Sequence, residues 1–130
     1  MSAVGASHIF GLGNPLLDIS ADTDQETLDR YGLTMNNAIL AEEKHLPLYD
    51  ELVAKDPLYV AGGATQNSVR VAQWMLQKEG ATNYSGCVGD DSFGRQLATC
   101  LTADGVGEYY LKDAKTATGT CAVLIKDNER

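Results

Sequence analysis

Short apolar runs alternate with helix-period patterns along this chain, and that alternation predicts an α/β fold. Residues 8–12 read as a strand ended by Gly13, and residues 17–21 as a second extended piece. Thr23 to Tyr31 is a short polar helix stopped by Gly32. A short strand is expected over 38–41 and a helix over 42–54, with Leu48, Leu52 and Val53 on one side. Pro47 fits that helix only in its first turn, where a missing N–H has no helical partner to lose. Residues 58–61 form a strand broken by Gly62-Gly63. The strongest helix follows over 65–78, with Val69, Ala72 and Leu76 at spacings of three and four and Val71 and Met75 alongside. Apolar residues on more than one face predict that it packs between layers. Residues 84–88 read as a buried strand, and Gly89-Asp90-Asp91-Ser92 supplies turn and N-cap chemistry. Phe93, Leu97, Cys100 and Leu101 make the next helix's core stripe, which Gly105 caps. Strands are expected over 108–111 and 118–126, then a turn at Asp127-Asn128-Glu129. A last strand and turn with no returning strand predict the N-terminal part of a longer protein, because an unpaired edge invites aggregation.

Composition narrows the function classes. The chain has 130 residues, enough for one domain, with 44% hydrophobic and 22% charged residues as in ordinary soluble domains. A net charge of −8 repels nucleic acid and anionic membranes, so neither is an expected partner. Cys87, Cys100 and Cys121 form no CxxC and have no nearby His pair, which argues against zinc or a disulfide framework. Reduced thiols in a cytoplasmic protein fit better, with Cys87 and Cys100 as packing residues. The first dozen residues carry no Lys or Arg and no long apolar segment, unlike a secretory leader. No apolar stretch approaches the ~20 residues that span a bilayer. His8 and His45 lack a partner constellation and read as structural; no metal-ligand set is visible.

Two segments carry candidate chemistry. Gly11-Leu12-Gly13-Asn14-Pro15-Leu16 has two thirds of a GxGxxG fingerprint, but Leu16 replaces the third glycine and Pro15 blocks smooth helix entry. If 17–21 is extended, Asp18 points away from the core-facing Leu17 and Ile19. Its carboxylate could accept from two neighbouring hydroxyls, as a ribose cis-diol presents them, while the Asn14 amide offers both donor and acceptor. Taken alone, an Asp after a strand is more often a cap or turn residue. Gly62-Gly63 lets a ligand approach bare backbone ahead of a helix N-terminus with free N–H donors, and Asn67 can point back into that space. A plain strand-to-helix turn would use the same glycines.

The words Asn14-Pro15-Leu16-Leu17-Asp18-Ile19-Ser20, Gly62 through Leu76, and Thr118-Gly119-Thr120-Cys121-Ala122 resemble the adenosine kinase branch of the ribokinase-like (PfkB) carbohydrate kinases. Gly89-Asp90-Asp91-Ser92-Phe93-Gly94 is similar to the wider sugar kinase family. The resemblance implies that Asn14 contacts the nucleoside and that Asp18 binds the ribose 2′- and 3′-hydroxyls. It also implies that Gly62, Gly63 and Asn67 line the ribose, that Leu16, Leu40 and Cys121 wall the base, and that Arg130 is a lid arginine near the reacting phosphoryl group. Ala64 and Ala38 depart from the Ser and Gln common there, which bears on fine substrate preference.

The implied fold is the N-terminal portion of a three-layer α/β core with a small β-sheet lid, cut within the lid. Lid segments would cover roughly 16–62 and 107–130, and core segments 7–15 and 63–106. The implied reaction is transfer of the ATP γ-phosphoryl group, with Mg2+, to the 5′-hydroxyl of adenosine in purine salvage, by a protein monomeric at full length. The family's base is an Asp in a GAGD-type segment that these residues do not contain. No catalytic residue is therefore expected here, and the 130 residues alone are expected to be inactive. Two rival readings are a kinase for another sugar or nucleoside and a non-catalytic nucleoside-binding module. The apolar Leu16, Leu40 and Cys121 favour a flat base over a free sugar.

Overall fold

The computed structural model describes residues 8–130. Position 7 of the expected first core segment, and most of the stretch read for a leader, lie outside the described residues. In chain order the elements are β1 (Ile9–Leu12), β2 (Leu16–Asp22), α1 (Gln25–Tyr31), α2 (Leu46–Val53), β3 (Leu58–Gly62), α3 (Ala64–Leu76) and β4 (Thr82–Ser85). They continue with β5 (Cys87–Gly89), α4 (Ser92–Ala103), β6 (Gly107–Glu108), β7 (Leu111–Asp113) and β8 (Thr120–Ile125). The chain divides into two compact units.

One unit runs up to Leu17 and then takes in Val60–Thr120. Its main sheet has the order β1-β4-β6, all parallel, with Ile9 opposite Thr82 and Tyr84 opposite Glu108; β5 and β7 form a second parallel pair. Helix α3 packs on β1 and β4, and α4 on β5 and β6. Val69, Tyr84, Val88, Leu97, Leu101 and Val106 are buried.

The expected single strand over 84–88 is two strands, split at Gly86. A Cβ there would lie 2.5 Å from both the Gly13 carbonyl and Pro15 Cδ, so the chain bends around that close approach. The expected strand over 108–111 splits in step. Tyr109 N–H donates to the Tyr84 carbonyl and Leu111 N–H to that of Gly86, so the chain changes partner between the two. Two further expectations need correction. Helix α3 buries one stripe, Gln66, Val69 and Gln73, whereas Val71, Trp74 (73%) and Met75 (71%) are exposed. Their offset from Val69 turns them away from the sheet, so among the described residues the helix is covered on one side only. Cys87 is exposed rather than packed, whereas Cys100 is half-buried.

The other unit comprises Asp18–Tyr59 and Cys121–Arg130. Strand order in its sheet is β3-β2-β8. Along β2 the buried Leu17, Ile19 and Ala21 alternate with more exposed neighbours, as a half-buried strand requires. Asp24 caps α1 by accepting from Thr27 N–H at 2.8 Å, and Gly32 ends it at φ 65. The predicted helix over 42–54 opens as a 3-10 turn, Glu43–His45, with Pro47 in the first turn of α2. His45 is structural: buried, its Nδ1 accepts from Glu42 N–H at 2.9 Å, so Nε2 carries the proton towards the Tyr31 carbonyl at 3.2 Å. The expected strand over 38–41 is irregular and exposed, and among the described residues no strand pairs with it. Asp127 (φ 53) and Asn128 (φ 64) form a two-residue left-handed turn closed by reciprocal bonds between Lys126 and Glu129.

Candidate functional site

The first unit gathers several of the candidate residues at one point. Gly63 precedes α3 at φ 99, and a Cβ on it would stand 2.7 Å from the Asn14 carbonyl and 3.5 Å from Leu16 N. Glycine is therefore needed for the backbone conformation and for the approach of the Asn14-Pro15-Leu16 loop. On another side of that loop sits Gly119, whose Cβ would meet Leu16 Cδ1 at 3.3 Å and the Pro15 carbonyl at 3.4 Å; Leu17 N–H donates to the Gly119 carbonyl at 2.9 Å. Three separated stretches, 14–17, 62–67 and 118–120, thus meet around Pro15. Gly63 offers no side-chain cap, so the first-turn N–H groups of α3 keep their positive end next to the loop. Gly62 is buried, whereas Asn14 and Asn67 are exposed polar groups beside Gly63.

The fourth stretch, 89–94, serves as scaffold. The Asp91 carboxylate caps α4 by accepting from Gly94 N–H (2.7 Å) and also from Thr118 N–H and Oγ1 (both 2.8 Å). Thr118 Oγ1 in turn accepts from Gly89 N–H at 2.9 Å. Burial pushes the Asp91 carboxyl up, but these hydrogen bonds outweigh it and hold the group below its ordinary range. Asp91 is thus shared between the α4 cap and the fastening of Thr118.

In the second unit, Asp18 and Cys121 lie on β2 and β8 and are electrostatic neighbours. Burial, and then the Asp18 carboxylate, raise the Cys121 thiol, which disfavours the nucleophilic thiolate. Leu40 is 92% exposed in the irregular segment before α2. Arg130 is exposed, and its backbone carbonyl accepts from Asn36 N–H at 3.1 Å. Asn14, Leu16, Gly62, Gly63 and Asn67 belong to the first unit, and Asp18, Leu40, Cys121 and Arg130 to the second.

Two supports escaped the sequence reading. Gln66, fully buried, donates to the Gly62 carbonyl at 2.8 Å and accepts from the Tyr110 hydroxyl at 2.5 Å, which locks the Gly-Gly turn. Arg70 holds the Asn67 side chain by donating from Nη1 to Oδ1 at 2.9 Å. The i, i+3 spacing of Asn67 and Arg70 was the available signal for the second. Nothing local marks the first.

The profile of the pfkB family carbohydrate kinases matches residues 25–130. The chain belongs to that family. Among its pfkB relatives, adenosine kinase 1 of Arabidopsis thaliana is 54% identical over 123 residues, covering 94% of this chain and 36% of the relative. The solved Anopheles gambiae adenosine kinase, in complex with P1,P4-di(adenosine-5) tetraphosphate, is 50% identical with a TM-score of 0.80; 94% of this chain and 36% of that one are covered. Adenosine kinase from Schistosoma mansoni, in complex with adenosine, is 38% identical with a TM-score of 0.78, covering 95% of this chain and 36% of its own. The chain thus spans about a third of the length of these relatives, and its mixed α/β fold with parallel sheets is theirs. No helix among the described residues is long and apolar enough to cross a membrane.

Proposed function

We propose that this chain carries the nucleoside-binding part of an adenosine kinase, which transfers the ATP γ-phosphoryl group to the 5′-hydroxyl of adenosine. The supporting observation is the meeting of 14–17, 62–67 and 118–120 around Pro15, with Gly63 free of any side chain and the α3 N-terminus and Asn67 beside it. That arrangement suits a polyhydroxylated ligand, since the uncapped first-turn N–H groups of α3 and the Asn67 amide stand together as donors.

In this reading Asp18 accepts from the ribose 2′- and 3′-hydroxyls, Gly62, Gly63 and Asn67 line the ribose, and Asn14 contacts the nucleoside. Leu16, Leu40 and Cys121 flank the base, and Arg130 approaches the phosphoryl group. Binding fixes the 5′-hydroxyl relative to the incoming phosphate, the positioning on which such transfers chiefly depend. ATP with Mg2+ would supply the phosphoryl group. Among the described residues no three His, Cys, Asp or Glu side chains gather to hold a metal. The 130 residues also hold no GAGD-type segment. Acceptor binding and orientation are therefore the steps assigned to them.

Calorimetric titration with adenosine and, separately, ribose is the test. Saturable adenosine binding with ribose at least tenfold weaker is expected, because the base adds buried apolar area. Equal affinities would contradict a nucleoside site.

A further inference from the structure

We propose that Arg70 is a positioning residue that fixes the polarity of the Asn67 amide, so that Asn67 turns its NH2 group to the ligand as donor. This rests on the nucleoside reading for the ligand's identity, but the geometry stands independently. The Arg70 guanidinium reaches three groups. Its Nη1 donates to the Ala61 carbonyl at the end of β3 (2.5 Å) and to Asn67 Oδ1 (2.9 Å), and its Nε pairs with Asp104 Oδ2 at the end of α4 (2.5 Å). The Arg70 side chain is only 24% exposed, so it is anchored between strand and helix rather than solvated.

The chemistry removes an ambiguity that amides usually carry. Oxygen and nitrogen of an Asn side chain are nearly the same shape, and partners decide which points where. A guanidinium has donors and no acceptor, so only the Asn67 oxygen can face it. The two N–H donors of Nδ2 then remain for the ligand. A hydroxyl bound at Nδ2 accepts from Asn67 and sends its own hydrogen to an acceptor other than Nδ2. Arg70 thus selects for a hydroxyl oxygen and holds the amide before the ligand arrives, which lowers the ordering cost of binding. Asp104 contributes by holding Arg70.

The test combines affinity with side-chain order. Adenosine is titrated into wild type, Arg70→Met, Arg70→Lys, Asn67→Ala and the Arg70→Met/Asn67→Ala pair. The order of the Asn67 side-chain NH2 group is followed by NMR in wild type and the Arg70 variants. Met keeps the aliphatic stem, so packing survives. Arg70→Met is expected to weaken adenosine about tenfold and leave the Asn67 NH2 group mobile. Arg70→Lys, still a donor but unable to bridge all three partners, recovers part of the loss. In the Asn67→Ala background, removing Arg70 costs little more affinity, although it lowers Tm as much as before. A merely structural arginine would give additive affinity losses and an unchanged NH2 group, and either result overturns the proposal. Absence of adenosine binding by wild type, with NH2 order still dependent on Arg70, would defeat the nucleoside reading while upholding the positioning role.

Discussion

At the scale of single residues, Gly63 is the most demanding position. Its φ of 99 lies where other residues are strained, and the Asn14 carbonyl occupies the space of a Cβ. Gly63→Ala is expected to cost about 1–3 kcal/mol of stability from backbone strain alone. It should also weaken adenosine binding by more than the folding loss explains, because Asn14 must move. Urea unfolding and titration of the same variant check both, and a stable Gly63→Ala protein with normal affinity would refute the assignment. The sequence showed that glycine mattered here but left turn and ligand site as equals. The approach of the Asn14-Pro15-Leu16 loop, a contact from nearly fifty residues away that no local pattern carries, gives the glycine its structural reason. Arg70 was legible in principle from its spacing to Asn67, whereas the Gln66 bond to its own turn gave no local signal.

At the scale of elements, the amphipathic pattern located helices well and short strands poorly. Caps explain the difference: Gly32, Asp91 and Gly105 mark helix ends by local chemistry and are used as such, whereas Asp24, the cap of α1, falls inside the helix expected from Thr23. Strands need a partner, which 38–41 lacks among the described residues, and the splits at Gly86 and at Tyr109-Tyr110 follow from a bend that only tertiary contact reveals. Asp91 yields a prediction with a definite sign. Its folded carboxyl sits lower than its unfolded one, so its contribution is whole above the ordinary carboxylate range and is lost as acid takes the pH down through the lowered value. Asp91→Ala should destabilise by about 2 kcal/mol or more near neutrality, since it uncaps α4 and strands the Thr118 N–H. It should also flatten the stability profile on the acid side; an unaltered slope would contradict the fastening role. Helix α3 offers a second check, because Trp74 is the chain's single tryptophan and is 73% exposed. Its fluorescence in the 130-residue chain should be water-like and open to iodide quenching, and a shielded, blue-shifted emission would mean that the exposed face is covered.

For the molecule as a whole, the family was legible because its words are contiguous stretches whose spacing survives in one sequence. The acidic balance and the absence of a long apolar segment narrowed the partners but named none. Whether Asp18 touches the sugar is the claim on which the nucleoside reading turns, and composition cannot reach it. Comparing adenosine with 2′,3′-dideoxyadenosine in wild type and Asp18→Asn tests it most directly. Wild type should bind adenosine on the order of 100-fold more tightly, because the Asp18 carboxylate loses two hydroxyl donors in the analogue. Asp18→Asn should bind both weakly and nearly alike. If the variant still separates the two ligands as sharply as wild type does, Asp18 does not hold the ribose and the account is wrong.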